Sequence, residues 1–137
     1  MIVVSNASPI IFLSKIKKLD LLLKLYKTIY IPDKVFEEIS KGKNEEHLDK
    51  HLPIFKVEKC GEKIISSQIH EGESEAISLA AKKKADLILL DDKKARIIAK
   101  SMKLKVNGTL GLLLTFLDKQ FISYDEFKIL LDSKIII

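Results

Sequence analysis

Five oxygen-bearing side chains could do chemistry: Asn6, Glu73, Asp91 and Asp92, which stand where the chain passes from one element to the next, and Glu38, on a helix. Asn6 follows a short β-rich run, and Asp91-Asp92 follows the apolar run 87–90. Glu73 comes directly after Gly72, in the first turn of an expected helix, where the helix dipole favours a carboxylate. Glu38, with Glu37 beside it, lies on a helix after a second strand. Carboxylates gathered in one cleft repel and raise each other's pKa. Mg²⁺ or Mn²⁺ relieves that repulsion, because these hard cations prefer carboxylate and water oxygens. Such an ion polarises a phosphodiester and generates hydroxide from water. The chemistry implied is metal-assisted hydrolysis of a phosphodiester.

Taken singly, each residue has a duller reading. Asp91 or Asp92 would cap the helix beginning at Lys93, and Asn6 would serve a turn. Glu73 would be an ordinary first-turn acid, and one of Glu37 and Glu38 is expected to stay solvated. What favours a site is several polar groups at one end of one sheet.

The elements that must position these groups follow from periodicity. Residues 2–4 read as a buried strand, and from Pro9 apolar residues recur at helical spacing as far as Tyr26. Pro9 suits the first turn of that helix, where its missing N–H costs nothing. Residues 28–31 form a second strand stopped by Pro32, and Asp33 caps a helix ending near Gly42. A polar stretch at 43–51 reads as helical, residues 54, 55 and 57 as a short edge strand, and 62–69 as a helical piece. Gly72 opens a helix with Ala76, Ile77, Leu79 and Ala80 facing inward. The run 87–90 is apolar throughout, as in a parallel strand buried on both faces. A helix at 93–102, a strand at 104–106, an apolar helix at 109–117 and a last helix at 124–132 complete the chain, with Ser123 and Glu126 at capping-box spacing. Alternating strands and helices imply a parallel sheet with helices on its faces, and ligands then bind beyond the carboxyl ends of the strands.

The 137 residues are expected to form a single domain, 1–137, with no internal repeat or linker. The lone Cys60 allows no internal disulfide and fits a reducing cytoplasm. The N-terminal run lacks the basic segment of a secretion signal, and the apolar stretch 108–117 is too short to span a bilayer. A cytoplasmic protein without a membrane association is expected. The net charge of +5 and pI near 9.2 favour a polyanionic partner such as nucleic acid. Lys82, Lys83, Lys84, Lys93, Lys94, Arg96, Lys100, Lys103 and Lys105 give the acidic site a basic surround suited to phosphates, about half of it ordinary solvated surface. His47 and His51 are four apart but lack the glutamate of a zinc-protease helix, so zinc is not expected. Few aromatics argue against a base-stacking platform. The apolar tail 135–137 is expected either to meet a second subunit or to finish the core.

Read in order, five segments carry a resemblance: Ser5-Asn6-Ala7-Ser8-Pro9-Ile10 after a strand; Ile31-Pro32 through Val35 to Glu38; Gly72-Glu73-Ser74-Glu75-Ala76-Ile77; Leu89-Leu90-Asp91-Asp92 with Ala95-Arg96; and Gly108-Thr109-Leu110-Gly111. Together they resemble the PIN-like proteins related to VapC toxins, over residues 3–122. The resemblance implies a three-layer α/β/α sandwich around a mainly parallel sheet. It also implies a Mg²⁺- or Mn²⁺-dependent ribonuclease acting on RNA. Its acids fall on Asn6, Glu38, Glu73 and Asp91 or Asp92, with Asn6, Glu73, Asp91 and Asp92 as metal ligands. Ser8, Lys93, Arg96 and Thr109 are the substrate contacts it suggests, and Glu75 is a weaker candidate than Glu73. A homodimer and a small antitoxin protein are the implied protein partners. Most such nucleases carry Asp where this chain has Asn6, which keeps a carbonyl oxygen but loses the charge.

The leading expectation is therefore a metal-dependent endoribonuclease, the toxin half of a toxin–antitoxin pair. A catalytically weak RNA-binding PIN module is the alternative that Asn6 motivates. A receiver- or haloacid-phosphatase-type phosphoryl-transfer domain is weakest, because no Asp-x-Asp follows the first strand.

Overall fold

The computed structural model describes residues 1–41, 55–64 and 66–132. Strands β1 (Val3–Ser5), β2 (Ile29–Pro32), β3 (Phe55–Glu58), β4 (Leu87–Leu89) and β5 (Val106–Asn107) form one sheet in the order β3-β2-β1-β4-β5. Every pairing is parallel, with Val3 opposite both Ile29 and Leu87. The described helices are α1 (Ala7–Lys15), α2 (Leu19–Leu25), α3 (Asp33–Lys41), α4 (Glu71–Lys83), α5 (Lys93–Ser101), α6 (Thr109–Asp118) and α7 (Tyr124–Asp132). They flank the sheet as the outer layers of an α/β/α fold. The chain winds outward from β1 through β2 to β3, then returns to lay β4 on the other side of β1. The strand order therefore reverses between β1 and β4, where such sheets open a crevice.

Val3, Val4, Ile88 and Leu89 are fully buried, which explains why both central strands lack polar alternation. The core continues through Ile10, Leu13, Leu19, Leu22, Ile77, Leu79, Leu113 and Phe116. Helix α4 is its axis, buried from Gly72 to Ala80 and packed against α3, α5, β1, β2 and β4.

Three sequence expectations change. The helix expected from Pro9 to Tyr26 is two helices, and Lys17 between them adopts a left-handed conformation with φ 58°. The backbone N–H of Lys18 reaches Leu13 O at 2.8 Å, closing α1 so that Leu19 and Leu22 can turn into the core. Helix α1 begins at Ala7, which leaves Pro9 in its first turn. The piece expected at 62–69 is not helical over its described residues, 62–64 and 66–69. Ile64 N–H donates to Ser78 Oγ at 2.8 Å, and Ser74 Oγ donates to Ile64 O, so serines of α4 take the backbone groups a helix would use. The strand expected at 104–106 lies instead at Val106–Asn107. The helix expected at 43–51, the His47 and His51 pair, Ile54 and the tail at 135–137 lie outside the described residues.

Candidate active site

Asn6 is the N-cap of α1, immediately after β1. Its backbone N–H donates to Leu89 O at 3.0 Å, which stitches the end of β1 to β4 at the strand-order reversal. Asparagine is a preferred cap because its side chain usually accepts a bond from the first helical turn. Here the side chain makes no cap bond. Asn6 is only 4% exposed, and its Oδ1 is a buried atom without a hydrogen-bond donor among the described residues. Leaving such an oxygen unsatisfied costs about 1–3 kcal/mol, which a ligand would recover.

Glu73, 7% exposed, stands in the first turn of α4, and its Oε1 accepts from His70 N at 2.8 Å. The bond fixes the carboxylate at the helix N-terminus, where the dipole favours its charge. Glu38 reaches the same place from α3. A Cβ on Gly72 would overlap the Glu38 carboxylate, so the absence of a side chain at 72 lets Glu38 approach the first turn of α4. Burial raises the pKa of Glu38; nearby Lys34 opposes the rise and the Glu73 carboxylate adds to it. Glu37, by contrast, is exposed and paired with Lys41 at 2.9 Å and Lys34 at 3.6 Å. Lys41, chiefly, lowers its pKa.

Beyond β4, Asp91 accepts twice from Thr109, from the backbone N–H and from the hydroxyl, each at 2.6 Å. Asp92 caps α5, with Oδ2 accepting from Ala95 N at 2.9 Å. The capping role at Lys93 thus falls to Asp92, whereas Asp91 holds the start of α6 instead; both carboxylates also border open space.

That space is one cleft in two lobes. A lobe of about 700 Å³ is lined by Ser8, Glu73, Asp91, Asp92, Arg96 and Thr109, with His70, Lys15 and an apolar wall of Ile11, Phe12 and Leu110. A lobe of about 380 Å³ is lined by Asn6, Ser8, Lys34, Glu38, Gly72 and Glu73, with His70 and Glu71. Ser8, His70 and Glu73 belong to both. The structure therefore brings Asn6, Glu38, Glu73, Asp91 and Asp92 to one cleft, together with Ser8, Arg96 and Thr109. Lys93 lies just outside, in a neighbouring groove. Glu75 points away, taking Lys34 N at 3.1 Å and Lys63 Nζ at 3.4 Å. His70, Lys34 and Lys15 are cleft residues that sequence reasoning did not single out. Only the place of His70, three residues before Glu73, offered a signal.

The donors fit a hard divalent cation held loosely. All are oxygens, and the orphaned Asn6 Oδ1 lacks the positive partner such an ion supplies. Among the described residues no three acidic, histidine or cysteine side chains close into a cage. Water and substrate oxygens would have to complete the shell, as is usual for Mg²⁺.

Comparison with known proteins agrees with this architecture. The structure is similar to a PilT N-terminus domain protein from the hyperthermophilic archaeon Sulfolobus solfataricus P2, with a TM-score of 0.65 at 20% identity. That likeness covers 86% of this chain and 95% of the other. A search of curated proteins gave no match. A family model described as PIN domain matches residues 2–135. Since that match spans nearly all 137 residues, this chain belongs to the PIN domain family.

Proposed function

We propose that the protein is a Mg²⁺- or Mn²⁺-dependent endoribonuclease that cleaves RNA in the two-lobed cleft. The observation that carries the reading is the buried Asn6 Oδ1, without a donor among the described residues, on a residue that lines the Glu38–Glu73 lobe. Asn6 and Glu73 on one side, and Asp91 and Asp92 on the other, would hold the ion. When bound, that ion polarises the scissile phosphodiester and lowers the pKa of attacking water. Glu38, whose pKa burial pushes upward, is suited to take a proton from that water. Arg96 borders the same lobe as Asp91 and presents a guanidinium to a phosphate. Ser8, common to both lobes, offers its hydroxyl to the same group. Thr109 acts through Asp91, whose two oxygens it holds. The test is incubation of pure protein with labelled RNA in Mn²⁺ and in chelator. Cleavage in Mn²⁺ alone, lost in Glu73→Ala, is the expected result; RNA intact in both conditions sinks the reading.

A second reading, an RNA-binding module that cuts poorly, is favoured by the neutral Asn6 and by the double engagement of Asp91. RNA bound tightly but uncut in Mn²⁺ would select it. The resemblance to VapC toxins supports the toxin half of a toxin–antitoxin pair, with a small antitoxin protein as partner. A short upstream reading frame with a DNA-binding N-terminus would test that role. A homodimer belongs to the same reading, and light scattering on the eluting protein measures it. Among the described residues no helix is long and apolar enough to cross a membrane. A cytoplasmic location goes with an RNA substrate.

A further inference from the structure

A third space opens beside the cleft, about 270 Å³ in volume and lined by Asp91, Lys93, Arg96, Ile97 and Lys100. Asp91 and Arg96 also line the larger lobe of the cleft, so the groove begins where the cleft ends. Lys93, Arg96 and Lys100 follow i, i+3, i+7 spacing on α5, which places them along one face of the helix. None of the three has an ion-pair partner among the described residues. Several cations elsewhere are committed, Lys83 to Glu58 at 2.9 Å and to the face of Tyr30, Lys18 to Glu126 at 2.7 Å, Lys63 to Glu71 and Glu75. Lys56 and Lys59 have no ion-pair partner among the described residues either, but they do not border the cleft. The one acid in the groove, Asp91, already accepts two bonds from Thr109. Ile97, 59% exposed, is an apolar side chain standing among charges in this same groove.

We propose that α5 is a track for single-stranded RNA leaving the cleft, with Lys93, Arg96 and Lys100 on successive phosphates and Ile97 against a ribose or base. The inference rests on the cleft being the RNA site, but not on cleavage occurring there. The Arg96 guanidinium, which also borders the cleft, suits bidentate contact with its phosphate, while the lysines on either side of it serve as point charges. Seven residues of helix rise about 10 Å. That is the axial span of about three nucleotides at ~3.4 Å each, and of fewer in a more extended strand. The protein should therefore hold RNA that continues past the cleft on this side, and the cations on the opposite sheet edge, such as Lys56 and Lys59 at β3, should contribute nothing.

The test is fluorescence anisotropy of a labelled single-stranded RNA 12-mer in chelator, between 50 and 200 mM KCl. Lys93→Ala with Lys100→Ala should reduce the salt slope by about 1.4, since each phosphate contact on a single strand contributes ~0.7. Over that fourfold range the wild type should lose about sevenfold more affinity than the double variant. Ile97→Ala should weaken binding without changing the slope. Lys56→Ala with Lys59→Ala should match the wild type. These substitutions are all at surface positions, and a melting curve verifies that each variant is folded. A wild-type slope in the α5 double variant overturns the track, and so does an equal loss in the β3 pair. Tighter binding of single-stranded DNA of the same sequence overturns the assignment to RNA. Cleavage in Mn²⁺ is scored separately: an unchanged slope with intact cleavage removes the track alone, and a changed slope without cleavage removes the nuclease reading alone.

Discussion

In the proposed site, Asn6 sets stability against function in a single side chain. Its oxygen is buried without a donor while its own helix goes uncapped by it. Asn6→Ala loses no hydrogen bond and removes the unsatisfied oxygen, so metal-free stability should hold or rise, while the stabilisation gained on adding Mn²⁺ should fall. Asn6→Asp should do the reverse. Placing a charge at a site 4% exposed and near Glu73 is expected to lower metal-free stability by about 2 kcal/mol, with a larger gain on adding Mn²⁺ and faster cleavage. Thermal unfolding of the three proteins in EDTA and in Mn²⁺ decides it; identical metal responses would place Asn6 outside the site. Glu38 adds a pH dependence. Its folded pKa is raised, so the native state holds the proton after the unfolded chain has released it, and stability falls as pH rises from the unfolded value of about 4.3 through the folded one. Below about pH 4 both states are protonated and the penalty disappears. Glu38→Gln should accordingly be the more stable protein at pH 7 in chelator, with the difference closing as the pH falls toward 4. Urea titrations at the two pH values measure it, and a gap that widens on acidification would contradict the sign.

Between elements, the site depends on how closely α3 and α4 approach. Gly72→Ala puts a methyl group where the Glu38 carboxylate sits, and the flexible end of Glu38 is what must move. Alanine is favoured over glycine in a helix by up to about 1 kcal/mol, so the fold should be as stable or slightly more so. RNA cleavage should nonetheless drop at least tenfold with Glu38 displaced. Melting temperature and cleavage rate measured on one preparation test this; a drop in both would mean that position 72 is needed for packing alone. A similar division applies at the other side of the cleft, where α6 is tied to the end of β4. Thr109→Val removes the hydroxyl donor of Asp91 but keeps the shape and the backbone bond. The expected loss is about 1 kcal/mol, because Asp91 stays solvent-accessible and its remaining bond persists. An unchanged denaturation midpoint would show that Asp91 finds water instead. Glu75, which the sequence offered as a lesser site candidate, is an inter-element tie: it receives the N–H of Lys34 at the start of α3 and so helps hold α3 against α4.

For the whole molecule, the proposed metal would link binding to folding. Mn²⁺ at about a hundredfold above its Kd should stabilise the native state by about 2.7 kcal/mol, a rise in melting temperature of about 10 °C for a domain of this size. Glu73→Ala with Asp92→Ala should abolish the rise, and Asp92→Ala should also cost about 1 kcal/mol of metal-free stability through the lost cap of α5. Much of the architecture was legible in the sequence because burial writes itself as periodicity: continuous apolar runs marked β1 and β4, and amphipathic or small-residue helices marked α4 and α6. Local chemistry was legible too, in the Asp92 cap of α5 and the Ser123 bond to Glu126 N–H at 3.0 Å. The break at Lys17 and the non-helical 62–64 segment were not, since both are decided by partners far along the chain or by the packing of α2. The sequence by itself determined which residue types stand at the ends of β1 and β4 and at the start of α4. Only the tertiary structure decided that β1 and β4 are neighbours, that Gly72 makes room for Glu38, that Thr109 occupies Asp91, and that the Asn6 oxygen is left alone. Those facts depend on strand order and on contacts between residues far apart in the chain, such as Glu38 with Gly72, 34 positions apart, and Asn6 with Leu89, 83 positions apart, or on helices meeting in space. A periodicity signal reports which face of an element is buried, and it carries no information about which other element covers that face.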